Sequence, residues 1–330
     1  MLLSLFIVYI ILGSLVFVPN IILLIAIVRT PALRLKYIVI SARIANDALG
    51  ALGVIIAGVG RIIVLLTDPY SLKSHRYCML MPWNIIFIWM EPMIAMNLLL
   101  VSLDRLLSIL CPLKYFKNSS TIQYLEVIIS IAILAALTIE SWISTSLDEA
   151  PTVSPFCWST DSWQMFHDSM AFILRLLTAL GSIVLYVIVF ILSRKYYLRI
   201  SKTQYGGALS AFHRRQNQLT ITLCISCIFT FVLYIIPTVV EYTLSKVFGK
   251  DITGVLMMYM AISLNLNPLA SLAILYHRQK DIANAVRTYL PKTCKRSTVG
   301  AKNEEDIQAH AIALISMDAI AATRSPAPQR

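Results

Sequence analysis

The chain is poor in charge. Only 14% of its 330 residues are Asp, Glu, Lys or Arg, against 58% hydrophobic residues and a mean hydropathy of +0.75, whereas a water-soluble domain carries roughly 25% charged residues. That deficit excludes a soluble domain. No polar domain interrupts the apolar segments between residue 2 and about residue 276, so the chain reads as one membrane domain with a tail. The layout of a secretory leader is also missing: no basic stretch precedes the first apolar run, which is about twice the ~7–15 residues of a leader, and no small-x-small site closes it. Histidine is scarce, and His75, His167, His213, His277 and His310 all fall outside the span cores. With no His/Asp metal set and no nucleophile–base pair, a membrane enzyme has no support. Pseudo-repeated halves and paired broken helices, the marks of many transporters, are absent as well.

What remains is apolar sequence in lengths that can cross a bilayer. A spanning helix needs about 20 mainly apolar residues because lipid offers no partner to an open backbone group. Seven segments qualify: 2–28, 37–66, 80–110, 122–147, 165–192, 218–242 and 252–276. Turn chemistry separates them at Thr30-Pro31, Asp68-Pro69, Cys111-Pro112, Pro151 through Pro155, Gly206-Gly207 and Gly249-Lys250. The expectation is an all-α membrane protein, a seven-helix bundle over 1–276.

Basic residues orient the bundle, since short cytoplasmic loops hold the positive excess. Loops 29–36, 111–121 and 193–217 carry 3, 2 and 6 Lys and Arg, and the chain from 277 carries 9. The other side has Lys73, Arg76, Lys246 and Lys250, while Arg43, Arg61, Arg105 and Arg175 lie within spans. The N-terminus is therefore expected outside the cell and the C-terminus in the cytoplasm, in the plasma membrane. The net charge of +11 then faces anionic inner-leaflet lipid and cytoplasmic partners, with no nucleic-acid motif present. The sequon Asn118-Ser119-Ser120 falls on the cytoplasmic side and is expected to be unmodified.

Polar residues inside spans are costly in lipid and are functional candidates. Asp47 lies deep in the second span, with Asn20 after Pro19 in the first and Asn267-Pro268 in the seventh at similar depth. The three can converge on a hydrated pocket. At the inner end of the third span stands Asp104-Arg105-Leu106, followed by Cys111-Pro112-Leu113. Arg105 there either snorkels at the interface or alternates between its neighbouring carboxylate and an intracellular partner, as a switch requires.

In order and approximate spacing, Asn20, Asp47, Asp104-Arg105, Pro237 and Asn267-Pro268 resemble the rhodopsin-like G-protein-coupled receptors, over residues from about 10 to 290. The segment Ser102 to Ile109 with Pro112-Leu113-Lys114-Tyr115 is similar to the nematode serpentine chemoreceptors of the srsx group. The resemblance implies a receptor that senses an extracellular ligand and activates a heterotrimeric G protein. It implies an allosteric sodium ion near Asp47, an activation lock at Asp104 and Arg105, a hinge at Asn267-Pro268, and a kink at Pro237 about which the sixth helix swings; a proline in a helix does bend the axis, though such a kink can also be static. Departures are Leu106 for the usual tyrosine, Ile235 for a sixth-helix tryptophan, Ser271 for a seventh-helix tyrosine, no proline in the fifth span, and Trp142 near the outer end of the fourth. These make a receptor-like protein that no longer couples a further reading. A transporter or channel using Asp47, Glu91 and Arg175 is the alternative outside the family.

Cys78 and Cys157 both face the oxidising side and are expected to form a disulfide, as the resemblance also implies. Cys78 sits two residues further from Arg105 than is usual there, which implies a short insertion or bulge. Cys111, Cys224 and Cys227 are expected to remain thiols. Residues 277–290 read as an amphipathic inner-face helix, with Ile282, Ala285, Val286 and Tyr289 at helical spacing and His277, Arg278, Lys280 and Arg287 toward headgroups. Pro291 ends it. Cys294 is either S-palmitoylated or a free thiol. The tail 291–330 reads as disordered, with Ser297, Thr298, Ser316, Thr323 and Ser325 as phosphosites or ordinary solvated residues. The basic run Arg194 to Arg215 contacts either Gα or lipid.

The ligand pocket is expected to open outward between the third, fifth, sixth and seventh helices. Glu91 precedes Arg105 by fourteen residues, roughly 21 Å along the helix. Its cationic partner is Arg175 or Arg61. Glu91 and Arg175 either bind a polar ligand or form an internal ion pair, and a neutralised Glu91 is the third case. Phe87 stands where biogenic-amine receptors carry an aspartate, so an amine ligand is disfavoured. Trp83 and Trp89 line the pocket or simply pack at the interface.

Overall fold

The structure is a computed structural model that describes residues 2–147, 149–159, 165–200, 221–222, 224–248 and 253–289. The turns expected at Gly206-Gly207 and Gly249-Lys250, most of the basic run to Arg215, Pro291, Cys294 and the tail lie outside the described residues. Twelve elements follow in chain order among them. The first helices are α1 (Leu2–Arg29), α2 (Pro31–Lys36) and α3 (Ile38–Thr67). A two-residue strand β1 (Lys73–Ser74) leads into α4 (His75–Met79), α5 (Pro82–Leu110) and α6 (Pro112–Ser146). Strand β2 (Pro151–Val153) and α7 (Met165–Ile200) come next. The helix α8 covers 224–248, with a π-helical turn at Phe231–Ile235 continued as Ile236–Phe248. Last are α9 (Thr253–Arg278) and α10 (Lys280–Tyr289).

Six of these helices are long and apolar enough to cross a membrane: α1, α3, α5, α6 from Lys117, α7 over Phe172–Lys195 and α8 over Cys224–Leu244. This is consistent with an all-α, multi-pass membrane protein. The segment expected as a seventh span is helical too, as α9, which packs against α1 and α8. Outward faces carry large apolar side chains such as Ile128 (59% exposed), Ile143 (63%) and Leu177 (63%). Surfaces of that kind are stable against acyl chains and unfavourable in water.

Small residues set the tightest helix pairing. α1 lies along α3, and a Cβ added at Gly58 would stand 2.7 Å from Ile10 Cγ1 and 2.9 Å from the Phe6 carbonyl. At Gly13 it would meet Ile55 Cγ1 at 2.8 Å and the Ala51 carbonyl at 2.9 Å. Close backbone approach through small residues is how helices gain packing energy when lipid supplies no hydrophobic drive.

The structure corrects two expectations, on the stretch 111–121 and on α10, and gives the form of a third. The stretch 111–121 is no open loop: Pro112 takes the first turn of α6, where a missing N–H costs nothing, and the helix continues with a kink at Asn118 (φ −126°, ψ 27°). The extra residues between Cys78 and Arg105 are absorbed by α4 and the break at Leu80-Met81 before α5. The apolar stripe of α10 does not lie on lipid alone, since Ile282 and Val286 are buried with Leu23, Ile27 and Tyr37 at the inner end of the bundle. Asp281 fixes this docking, accepting from Lys36 and, at 3.0 Å, from the Tyr37 hydroxyl.

Candidate functional site

The end of the bundle that carries the α3–α4 and α6–α7 connections is closed by a covalent and polar knot. Cys78 and Cys157 form the expected disulfide, and β1 pairs with β2 in an antiparallel ribbon beside it. Cys157 adopts φ +46°, the left-handed region that non-glycine residues rarely enter. Its carbonyl collects Trp83 Nε1 at 3.1 Å, Asn84 Nδ2 at 3.1 Å and Arg61 Nη2 at 3.3 Å. Arg61 also donates from Nε to the Phe156 carbonyl at 3.0 Å and lies 4.2 Å from the Trp158 ring centre. Arg61, considered above as a partner for Glu91, is thus committed to the outer loop. Phe87 packs with this cluster, its ring edge over Gly53.

Glu91 pairs with Arg175. Nη1 of Arg175 on α7 donates to Glu91 Oε2 on α5 at 2.9 Å, with both side chains partly buried. The Tyr234 hydroxyl from α8 donates to the Glu91 carbonyl oxygen at 3.2 Å. Three helices therefore meet at this level, where Phe172 of α7 also stacks on Tyr242 of α8 at 3.9 Å. This contact between opposite charges ties α5 to α7.

Half-way down, Asn20, Arg43, Asp47, Thr222, Ser226 and Ser271 line one cavity together with apolar residues. Asn20 is spent in part on its own helix, donating to the Val16 carbonyl at 2.8 Å. Arg43 Nη2 donates to Ser271 Oγ at 2.7 Å and Nη1 to Ser226 Oγ at 3.4 Å, and the two serine oxygens are 3.1 Å apart. Asn267 is near but outside the cavity lining. Its Oδ1 receives the Thr230 hydroxyl at 2.8 Å, one turn of α8 above Ser226.

Around Pro237 the helix is reorganised. Pro237 has no N–H for the Leu233 carbonyl, and the π-helical turn just before it bonds Ile236 N to Phe231 O. Ser263 of α9 donates its hydroxyl to Leu233 O at 2.9 Å, and Thr238 donates to Tyr234 O at 2.7 Å. The Ser263 hydroxyl thereby serves the carbonyl that Pro237 cannot, and the Thr238 hydroxyl adds a bond to the preceding turn. Ile235 is buried within this turn.

Near the C-terminal end of α5, Asp104 and Arg105 are 1% and 5% exposed. Arg105 Nη2 donates to Asp104 Oδ2, and the Tyr115 hydroxyl donates to Asp104 Oδ1 at 2.6 Å. Gln123 Nε2 in turn donates to Tyr115 Oη at 2.8 Å. Burial pushes the Tyr115 hydroxyl above its usual range, and neighbouring Asp104 adds to this, so it stays a donor. A 5% exposed guanidinium with a carboxylate partner is a buried pair and not a snorkelling arginine.

Glu126 on α6, in the field of Asp104 and Arg105, has both carboxylate oxygens buried and unbonded among the described residues. Neither Arg43 nor Glu126 was singled out as a site residue by sequence. Arg43 stands one turn before Asp47, and Glu126 follows Gln123 by three residues, so helical spacing was the available signal. No family model and no curated protein matches the chain.

Proposed function

We propose that this chain is a rhodopsin-like seven-helix receptor that senses an extracellular ligand and catalyses guanine-nucleotide exchange on a heterotrimeric G protein. One observation carries the reading: the buried Asp104–Arg105 pair at the inner end of α5, capped by Tyr115. A carboxylate that accepts from Arg105 on one oxygen and is fixed by Tyr115 on the other keeps the guanidinium from a partner, and loss of the Arg105 contact frees a rigid, multivalent donor at the cytoplasmic face. The reaction belongs to the G protein, and the receptor supplies only a conformational bias.

In this reading α9 is the seventh span, the N-terminus is extracellular and the basic cytoplasmic side meets anionic lipid. A ligand enters under the Cys78–Cys157 knot, and Phe87, Glu91 and Arg175 contribute to its site. A compound that competes for either member of the Glu91–Arg175 pair would loosen α5 from α7. The change reaches the inner face through α8, whose Pro237 turn rests on hydroxyls that are easier to exchange than a regular backbone ladder. Transport is the less favoured reading, because Glu91 and Arg175 satisfy each other and neither lines the Asp47 cavity.

The test is nucleotide exchange in membranes from cells expressing the chain with a panel of Gα subunits, comparing wild type with Arg105→Ala at matched surface expression. The proposal expects exchange above mock membranes with at least one Gα, abolished by the substitution. Exchange at mock level with every subunit, or an Arg105→Ala variant equal to wild type, contradicts it.

A further inference from the structure

The residues around Asp47 do not fit the sodium ion that the receptor resemblance implies. A hard cation wants several oxygen ligands, and the side-chain oxygens of the described lining are the Asp47 carboxylate, the amide of Asn20 and the hydroxyls of Thr222, Ser226 and Ser271, of which Thr222 already accepts from Gln279 Nε2 at 3.3 Å. Both serine hydroxyls already accept from Arg43. Of the residues lining the cavity, Asp47 is the one acid and Arg43 the one base, so an ion beside Asp47 would face a guanidinium across the same small space. Among the described residues Arg43 has no ion pair within salt-bridge distance, and it shares the cavity wall with Asp47, one helical turn away on α3.

We infer that Arg43 is the resident cation of the Asp47 site: a tethered guanidinium that compensates Asp47 and joins α3 to α8 and α9 through Ser226 and Ser271, in place of an exchangeable sodium ion. A tethered charge differs from a bound ion in one testable respect. It cannot dissociate, so the stability it confers is independent of bulk sodium, whereas an ion that binds only the folded state stabilises in proportion to its concentration. Arg43 is in this sense a positioning residue for the helices that the proposed switch moves. The short side chains of the two serines leave room for the guanidinium fork. A lysine could supply the charge but would reach both hydroxyls less well.

The experiment is the unfolding midpoint of the purified full-length protein in lipid nanodiscs, read by tryptophan fluorescence, in sodium chloride and in choline chloride at matched ionic strength. Wild type should show the same midpoint in both salts. Arg43→Leu should show a midpoint that rises with sodium, and adding Asp47→Asn should abolish that rise. A wild-type midpoint that rises with sodium overturns the inference, and so does an Arg43→Leu midpoint indifferent to it. Should Arg43→Leu fail to fold, radiolabelled sodium binding to wild type decides alone: no saturable binding is expected, and saturable binding lost in Asp47→Asn contradicts the assignment. Because neither readout involves a G protein, the outcome is separate from whether the chain couples to one.

Discussion

Four arginines lie within the expected spans, and each solves the cost of burial differently. Arg61 uses two carbonyls and an aromatic face, Arg43 two hydroxyls, and Arg105 and Arg175 a carboxylate each. The consequences of removing them differ accordingly. Breaking a buried pair by deleting one partner leaves an uncompensated charge, so Arg175→Ala should lower stability more than the double variant Arg175→Ala/Glu91→Gln, measured as unfolding midpoints. If the two are equal, the 2.9 Å contact contributes nothing. Tyr115→Phe removes one hydrogen bond to Asp104, worth about 1 kcal/mol, and should raise ligand-free nucleotide exchange because the carboxylate that holds Arg105 is no longer fixed by its second oxygen. These residue-level partners were only partly legible in the sequence. The pairing of Glu91 with Arg175 could be named because two opposite charges within spans have few ways to be satisfied. Tyr115 and Gln123 as the cap on Asp104 could not, because that contact depends on a helix starting at Pro112 where a loop was expected.

At the scale of elements, the π-helical turn in α8 and the glycine contacts between α1 and α3 are the informative features. Ser263→Ala leaves the Leu233 carbonyl without its hydroxyl partner in a dry environment, a loss of roughly 1–3 kcal/mol, and should increase amide exchange around Pro237 without affecting α1. A protected α8 in that variant would show that water already serves this carbonyl. Gly58→Ala pushes a methyl to within 2.7 Å of Ile10 Cγ1 and toward the Phe6 backbone, and overpacking of this kind costs about 1–3 kcal/mol. The expected result is a lower unfolding midpoint with signalling retained in the folded fraction. Spans for α1, α3 and α5 were readable to within a few residues because lipid imposes length and composition together. The π-turn was not, since Pro237 alone is equally compatible with a plain kink. The docking of α10 was half legible: its amphipathic period is plain, but the period is the same whether the apolar stripe meets lipid or, as here, Leu23 and Ile27.

The whole molecule has one covalently pinned end, an ionic and polar middle, and a capped opposite end. Cys78 and Cys157 are separated by 79 residues, and a cross-link over a loop of that size restricts the unfolded chain by roughly 4 kcal/mol in the chain-entropy description. A Cys78→Ser/Cys157→Ser variant should therefore unfold at lower temperature and lose the close approach of β1 and β2. The proposed receptor has its two termini on opposite sides of the membrane, which requires an odd number of spans. Placing an epitope at each terminus and probing intact and permeabilised cells tests this directly. The account predicts that the N-terminal tag is accessible in intact cells and the C-terminal tag only after permeabilisation, whereas both tags on one side would mean an even number of spans and contradict the receptor reading.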